Sequence, residues 1–103
     1  MFKMYRVHVY HAPVDDKPGG TAMRLKALAD PVRVKIMSLM FSSRPGGETS
    51  AHLAAVLDLA ESTVSHHLGQ LRKAGLVISD RRGMNVFHRV KPEALQALCV
   101  VLD

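Results

Sequence analysis

The sequence contains 103 residues, of which 48% are hydrophobic, a length and composition that suit one compact domain and exclude both two domains and a chain disordered throughout. A domain of this size buries only about two thirds of the surface that its unfolded chain exposes, so an intersubunit core would add stability. The single cysteine excludes an intrachain disulfide and no apolar run reaches the ~18 residues of a membrane span, so we expect a cytoplasmic protein without membrane partners.

The first 20 residues differ in pattern from the rest of the chain. Tyr5, Val7 and Val9 alternate with other residue types, which is compatible with one short strand. Prolines and glycines between Pro13 and Gly20 then interrupt regular structure. We therefore predict an N-terminal arm over residues 1–20 and a single folded domain over residues 21–103.

Two helices are predicted at the start of the folded domain. The first runs from about Thr21 to Ala29. Asp30 then provides an N-cap directly before Pro31, and proline is tolerated at the first helical position because its missing amide hydrogen has no helical partner there. Apolar residues recur at helical spacing in this second helix, which we expect to end near Ser42, before a Pro-Gly-Gly sequence.

A helix-turn-helix is predicted next. Thr49 or Ser50 can cap a short third helix, and residues 58–60 form a tight connection to a fourth helix. The fourth helix spans roughly Glu61 to Ala74 and ends at Gly75, which can adopt the left-handed conformation that follows many helices.

A β-hairpin follows Gly75, because the hydrophobic pattern changes there from a helical to an alternating period. Residues 76–79 and 84–90 are the predicted strands, and Asp80–Gly83 is the turn between them. A hairpin directly after a helix-turn-helix is typical of a wing, and Pro92 then opens a last helix. The predicted fold class is therefore α+β, mainly α: a winged helix-turn-helix with five helices and a two-stranded hairpin.

The last helix carries an apolar stripe at helical spacing. Only the first helix remains within the chain to cover this stripe, so both helices are assigned to a homodimer interface. Cys99 within it is expected to be an inert packed thiol, since a redox switch would need it exposed. The predicted interface residues are Leu25, Leu28, Leu95, Leu98, Cys99 and Leu102.

The fourth helix has an apolar face and a polar face. Val64, Leu68 and Leu71 must turn toward the core, and His67 beside that stripe is expected to be a packed, hydrogen-bonded core histidine. The opposite face begins with small hydroxyl and amide side chains, which can approach base edges and phosphates. The predicted DNA-facing residues of this face are Ser62, Thr63, Ser65, His66 and Gln70.

Basic residues are concentrated around this helix and the hairpin. The whole chain carries a net charge of +5, and the segment from Glu61 to Lys91 holds six basic residues against two acidic ones. This local excess favours a polyanion-binding surface, with a merely solvated basic face as the alternative. We predict that Arg72, Lys73, Arg81 and Arg82 contact phosphates. Arg81 and Arg82 of the hairpin are expected near the adjacent minor groove.

Three separated segments resemble the signature stretches of the ArsR/SmtB family: residues 28–33 (LADPVR), 62–68 (STVSHHL) and 71–77 (LRKAGLV). The resemblance covers roughly residues 21–103. It implies a dimeric transcriptional repressor that binds an inverted-repeat operator in double-stranded DNA and leaves it when an inducer, commonly a metal or metalloid ion, binds. Ala60 departs from the serine often found ahead of the recognition helix, which weakens the cap of that helix.

The family's metal sites do not carry over to this sequence. Thr49 and Ala51 replace the Cys-x-Cys pair of many arsenic, cadmium and lead sensors, and the last helix lacks the Asp and His ligands of zinc and nickel sensors. Asp15-Asp16 stands where some arsenic sensors carry an arm cysteine pair, and carboxylates prefer harder cations than thiolates do. The remaining metal candidates are His8, His11, Asp15 and Asp16 in the arm, with His52, His88 and Cys99 scattered elsewhere. The alternative is an arm that is merely solvated.

Two other functional classes remain open. The scaffold could act as a protein-interaction module through its dimer or arm surface, with DNA binding secondary. A small hydrolase would need a nucleophile, a base and an oxyanion site, but Ser62 and Ser65 near His66 have no third orienting group at motif spacing. We therefore expect no enzymatic activity.

Overall fold

The computed structural model describes residues 20–43 and 45–94. A fifth helix begins at Pro92, and the described residues end within it at Ala94. The predicted order of helices and hairpin is confirmed, and the predicted arm lies outside the described residues except for Gly20. The elements in chain order are α1 (Thr21–Ala27), α2 (Pro31–Phe41), α3 (Ser50–Leu57), α4 (Glu61–Lys73), β1 (Val77–Arg82) and β2 (Asn85–Val90).

The starts of α2 and α3 are capped as predicted. The Asp30 carboxylate accepts hydrogen bonds from the backbone N–H groups of Val32, at 2.8 Å, and Arg33, at 3.3 Å. The Thr49 hydroxyl accepts from the N–H of His52 at 3.2 Å. α1 ends at Ala27, earlier than predicted, because the N–H of Ala29 donates to the carbonyl of Lys26, three residues back, instead of continuing the α-helical pattern. Asp30 before Pro31 is then extended, with φ −101° and ψ 125°.

The end of α4 is closed by backbone hydrogen bonds around Gly75. The N–H of Leu76 donates to the carbonyl of Leu71, and the N–H of Gly75 donates to the carbonyl of Arg72, both at 3.0 Å. These two bonds form a Schellman motif, which requires a left-handed residue, and Gly75 has φ 76°. The motif turns the chain out of the helix and directs it into β1.

The core lies between α2, α3, α4 and the base of the hairpin. The apolar face predicted for α4 is confirmed, since Val64 and Leu71 are fully buried and Leu68 is 1% exposed. Val77 and Ala94 join the same cluster, so the hairpin and the start of the fifth helix both rest on it. The largest fully buried side chains are Ile36, Leu53, Leu68, Leu71, Leu76 and Val64.

The hairpin turn is shorter than predicted. The strands pair from Val77 opposite Val90 to Arg82 opposite Asn85, which leaves only Gly83 and Met84 as the turn. The prediction of a turn over Asp80–Gly83 was therefore wrong, because pairing with β2 satisfies the backbone groups of residues 80–82 better than a four-residue loop would. β1 therefore extends farther from the core than the sequence predicted, whereas β2 begins one residue later than predicted, at Asn85.

A β-bridge joins the loop before α3 to the hairpin. Glu48 and His88 exchange two backbone hydrogen bonds, each 2.8 Å long. Gly47, with φ 93°, permits this approach because a Cβ on it would lie 2.6 Å from the carbonyl oxygen of His88. The loop that leads into the helix-turn-helix is thus attached to β2.

Replacing Gly75 by alanine should lower the free energy of unfolding by about 1 kcal/mol, since a Cβ is disfavoured in the left-handed region. Gly69→Ala, within α4, is the matched control: a Cβ there meets only the Arg72 side chain, at 3.8 Å. Helix propensity should make that variant as stable as the parent or more stable, by up to about 1 kcal/mol. Chemical denaturation measures both, and equal effects would contradict the capping role of Gly75.

Candidate nucleic-acid interface

The helix-turn-helix consists of α3, residues 58–60 and α4. The turn begins at Asp58, which is left-handed with φ 56°, and the N–H of Leu59 donates to the carbonyl of Ala54 at 3.0 Å. Leu53 of α3 and Val64 of α4 are buried in the same core cluster. The two helices are therefore held together by apolar contacts on one side, which leaves the other side of α4 free to face a partner.

The polar face predicted for α4 is on the surface. Gln70 is half-buried, and Gly69 next to it carries no side chain that would cover the helix. Arg72 and Lys73 extend this surface into the last turn of the helix. The exposed side chains of the face are Ser62, Thr63, Ser65, His66, Arg72 and Lys73.

The two adjacent histidines of α4 differ in environment. His66 is exposed, whereas His67 is half-buried and its Nδ1 accepts a hydrogen bond from Nε of Arg33 at 3.2 Å. The prediction of a core position for His67 was wrong, although its hydrogen bond is present. The buried stripe of α4 is narrow, so the position beside it lies at the edge of the core, against the polar start of α2.

Among the described histidines, His88 is the buried one, although its place in the sequence predicts only a scattered metal candidate. It is 5% exposed. Its Nδ1 lies 2.7 Å from Oγ of Ser79, and its Nε2 lies 3.2 Å from Oγ of Ser50. The sequence feature that predicts burial of His88 is the alternation of side chains along β2. It places residue 88 on the same face as Val90, which packs on the core.

The environment of His88 favours its neutral form. Burial, and secondly the positive charge of Arg72, lower the pKa of His88. Arg72 acts from close by, because its Nη1 donates to Oγ of Ser79 at 3.0 Å. A neutral imidazole offers one donor and one acceptor, which matches the two hydroxyl groups on either side of the ring.

The two arginines at the hairpin tip point to opposite faces. Arg81 pairs with Val86 and therefore shares a face with the Ser79–His88 pair, the face that rests on the core and α4. Arg82 lies on the other face, where its guanidinium stacks 4.3 Å from the centre of the Phe87 ring and donates to the carbonyl of Gly46. Both arginines are exposed. Among the described residues, these two contacts restrict the side chain of Arg82 and not that of Arg81.

Acidic residues partly neutralise the other basic residues of this segment. Arg89 pairs with Asp80 at 3.3 Å, and Lys91 lies 3.9 Å from a carboxylate oxygen of Glu93. Within the described segment from Glu61 to Lys91, the exposed cations outside these two pairs lie at the end of α4 and at the tip of the hairpin. They are Arg72, Lys73, Arg81 and Arg82.

Several predicted site residues lie elsewhere. Leu25 is 41% exposed on α1, whereas Leu28 is partly buried against the core. The other predicted interface residues (Leu95, Leu98, Cys99, Leu102) and the arm candidates for metal binding (His8, His11, Asp15, Asp16) are outside the described residues. Over residues 20–43 and 45–94, no three His, Cys, Asp or Glu side chains come together in a way that could hold a metal ion. None of the helices in that part is both long and apolar enough to cross a membrane.

The domain should lose stability as the pH falls below about 6.5, the ordinary pKa of histidine. In that range the unfolded chain binds a proton on His88 and the folded chain, with its lowered pKa, does not; the loss levels off below the folded-state pKa. Thermal unfolding from about pH 8 to about pH 5 measures the effect. His88→Gln should remove this part of the pH dependence, whereas the same change at exposed His66 should retain it; identical profiles for both variants would contradict the assignment.

Comparison with known proteins agrees with this geometry. The family of bacterial regulatory proteins named after arsR matches residues 30–79, which span α2 to β1. An arsenic resistance transcriptional regulator of Pseudomonas putida is 37% identical over 71 residues, which are 69% of this chain and 54% of that protein. This chain therefore spans about half of that relative's length.

Two further relatives cover more of their own length. The HTH-type transcriptional regulator YgaV of Escherichia coli is 33% identical over 81 residues, 79% of this chain and 80% of that protein. A homodimeric winged helix-turn-helix DNA-binding domain of Mycobacterium bovis superposes with a TM-score of 0.67 at 26% identity, over 79% of this chain and 73% of that one. With its helix-turn-helix, its hairpin wing and these relatives, the chain belongs to the ArsR family of bacterial regulatory proteins and is a winged helix-turn-helix transcriptional regulator.

Proposed function

We propose that the protein is a homodimeric repressor that binds an inverted-repeat operator in double-stranded DNA. The observation that carries this proposal is the surface formed by the polar face of α4 and the tip of the hairpin. Uncharged hydroxyl and amide groups lie along the helix, and four exposed cations lie at its end and on the hairpin. We refer to these parts together as the α4–hairpin surface.

The two kinds of side chain on the α4–hairpin surface suit two parts of a duplex. Small polar groups from Ser62 to Gln70 can reach base edges in the major groove, and the Gln70 amide can pair with adenine through two hydrogen bonds. The cations of α4 and the hairpin can contact phosphates on either side, which sets the position of the helix without reading sequence. The hairpin tip would then lie over the adjacent minor groove.

A dimer accounts for features that one chain leaves incomplete. Met23 and Leu25 expose 36% and 41% of their surfaces on α1, and the apolar stripe predicted for the last helix needs a covering surface. The structural relative from Mycobacterium bovis is homodimeric. A two-fold dimer would present two α4–hairpin surfaces, which is why we expect an inverted repeat.

The competing functional classes have less support. The relatives are named as transcriptional regulators and not as enzymes. Ser62, Ser65 and His66 are all exposed on α4, so they do not line an enclosed site shielded from bulk solvent, as an active site for hydrolysis would be. An interaction module would use the dimer or arm surface and would leave the four exposed cations without a role.

Binding to duplex DNA should weaken steeply with added salt, because each phosphate contact contributes about 0.9 to the slope of log K against log salt. Arg81→Ala should lower this slope by about that amount per subunit, since Arg81 extends from the hairpin face that lies beside α4. The matched control is Arg82→Ala, which removes the same charge from the other face. It should change the slope less and instead lower the free energy of unfolding by about 0.5–1 kcal/mol through loss of the Phe87 contact.

Fluorescence anisotropy at several salt concentrations measures both variants. The duplex is first selected by the wild-type protein from a randomised pool. Binding that does not depend on salt would contradict the proposed function. Equal slopes for the two arginine variants would contradict the assignment of the two hairpin faces.

The inducer site is proposed to lie in the N-terminal arm. The Pseudomonas putida relative is named for arsenic resistance, but the position where related sensors begin a thiolate pair is occupied here by Thr49, whose hydroxyl caps α3. The arm candidates His8, His11, Asp15 and Asp16 provide nitrogen and oxygen ligands, which suit zinc or nickel better than arsenite. Calorimetric titration should therefore show binding of zinc or nickel that a variant with alanine at these four positions loses. No binding by zinc, nickel or arsenite would remove the arm hypothesis.

A further inference from the structure

A chain of side-chain hydrogen bonds connects both helices of the helix-turn-helix through the hairpin. It begins at Ser50, the first residue of α3, and passes through His88 of β2 to Ser79 of β1. It ends at Arg72 in the last turn of α4, whose Nη1 donates to Oγ of Ser79. We call these four residues the His88 chain.

One assignment of donors and acceptors that satisfies both ring nitrogens of His88 starts from the Arg72 end of the chain. Oγ of Ser79 accepts from a guanidinium, which polarises its hydroxyl and makes it a better donor to Nδ1 of His88. Nε2 of the neutral ring then carries the proton and donates to Oγ of Ser50. Every polar atom of the buried ring has a partner in this arrangement, so the ring has one preferred orientation.

Among the described residues, the arginine at the exposed end of the chain uses one of its donors in this network. A guanidinium has five N–H groups in a fixed fork, and the bond to Ser79 uses one of them. Arg72 is exposed, and Ser79 shares its hairpin face with Arg81. The remaining N–H groups of Arg72 therefore lie in the corner between the end of α4 and the hairpin.

We propose that His88 and Ser79 are positioning residues for DNA binding, which hold the Arg72 guanidinium in this corner so that it contacts a phosphate between the grooves occupied by α4 and the hairpin. The proposal rests on the proposed function. A long arginine side chain loses rotamer freedom when it binds, and a side chain that is already held loses less. His88 touches no DNA in this account and acts through Ser79.

The primary test is Ser79→Ala, which removes one hydroxyl and no charge. It should weaken binding to the selected duplex by about threefold to tenfold, the effect of one hydrogen bond, with little change in the salt slope. Arg72→Gln should weaken binding and also lower the slope by about 0.9 per subunit. In the Arg72→Gln background, Ser79→Ala should have no further effect on affinity, because its only route to the DNA is through Arg72.

Matched variants separate this role from general stability. Ser79→Thr keeps the hydroxyl on a strand and should retain wild-type affinity. Ser42→Ala removes a hydroxyl at the end of α2 whose hydrogen bond among the described residues goes to the Ser38 carbonyl, and it should leave affinity unchanged. His88→Phe should weaken binding as Ser79→Ala does at a pH where the variant is folded, and its loss should also vanish in the Arg72→Gln background.

A measurement on the free protein makes the test independent of DNA. The guanidinium nitrogens of Arg72 should give separate NMR signals in the wild type, because the bond to Ser79 slows rotation, and averaged signals in Ser79→Ala. Averaged signals in the wild type would overturn the proposal. If the losses in affinity caused by Ser79→Ala and Arg72→Gln are additive in the double variant, the proposal is also overturned. The α4–hairpin surface would then still be the DNA-binding site. A wild-type protein that selects no duplex would instead contradict the proposed function, and the positioning role with it.

Discussion

Burial of the apolar stripe of α4 is the constraint on which the rest of the structure depends. Val64, Leu68 and Leu71 are at most 1% exposed, packed with core residues of α2 and α3. Because side chains of a helix recur every 3.6 residues, burying one stripe turns the opposite residues outward. The hydroxyl and amide groups of α4 therefore lie on the surface as a consequence of packing on the other side of the helix.

The hairpin gains its position from the end of the same helix. The Schellman motif at Gly75 reverses the chain, and Leu76 and Val77 enter the core directly afterwards. Beyond the apolar contacts, Arg72 of α4 bonds to Ser79 of β1, and His88 of β2 continues this chain of hydrogen bonds to Ser50 of α3. Because both ring nitrogens of buried His88 have partners, this chain favours one arrangement of the elements that supply them, which apolar contacts alone specify less strictly.

The net charge alone does not show where this protein could bind a polyanion, because some of its basic side chains form ion pairs. Arg89 and Lys91 have acidic neighbours. What distinguishes a DNA-binding surface from a solvated basic face is the placement of the remaining cations beside an uncharged, small-residue helix face. That placement is present here at the junction of α4 and the hairpin.

The sequence by itself determined the order of the elements, the caps and the core face of α4, because these depend on local chemistry: the Asp30-Pro31 start, the Thr49 cap and the Gly75 end. Only the tertiary structure decided which histidine is buried. His67 was predicted to be in the core and His88 is there instead, since burial of an imidazole depends on the hydroxyls that other elements bring to it. The short turn and the opposite faces of the two hairpin arginines were likewise decided by strand pairing, because the register depends on backbone hydrogen bonds between the two strands and not on residue type alone.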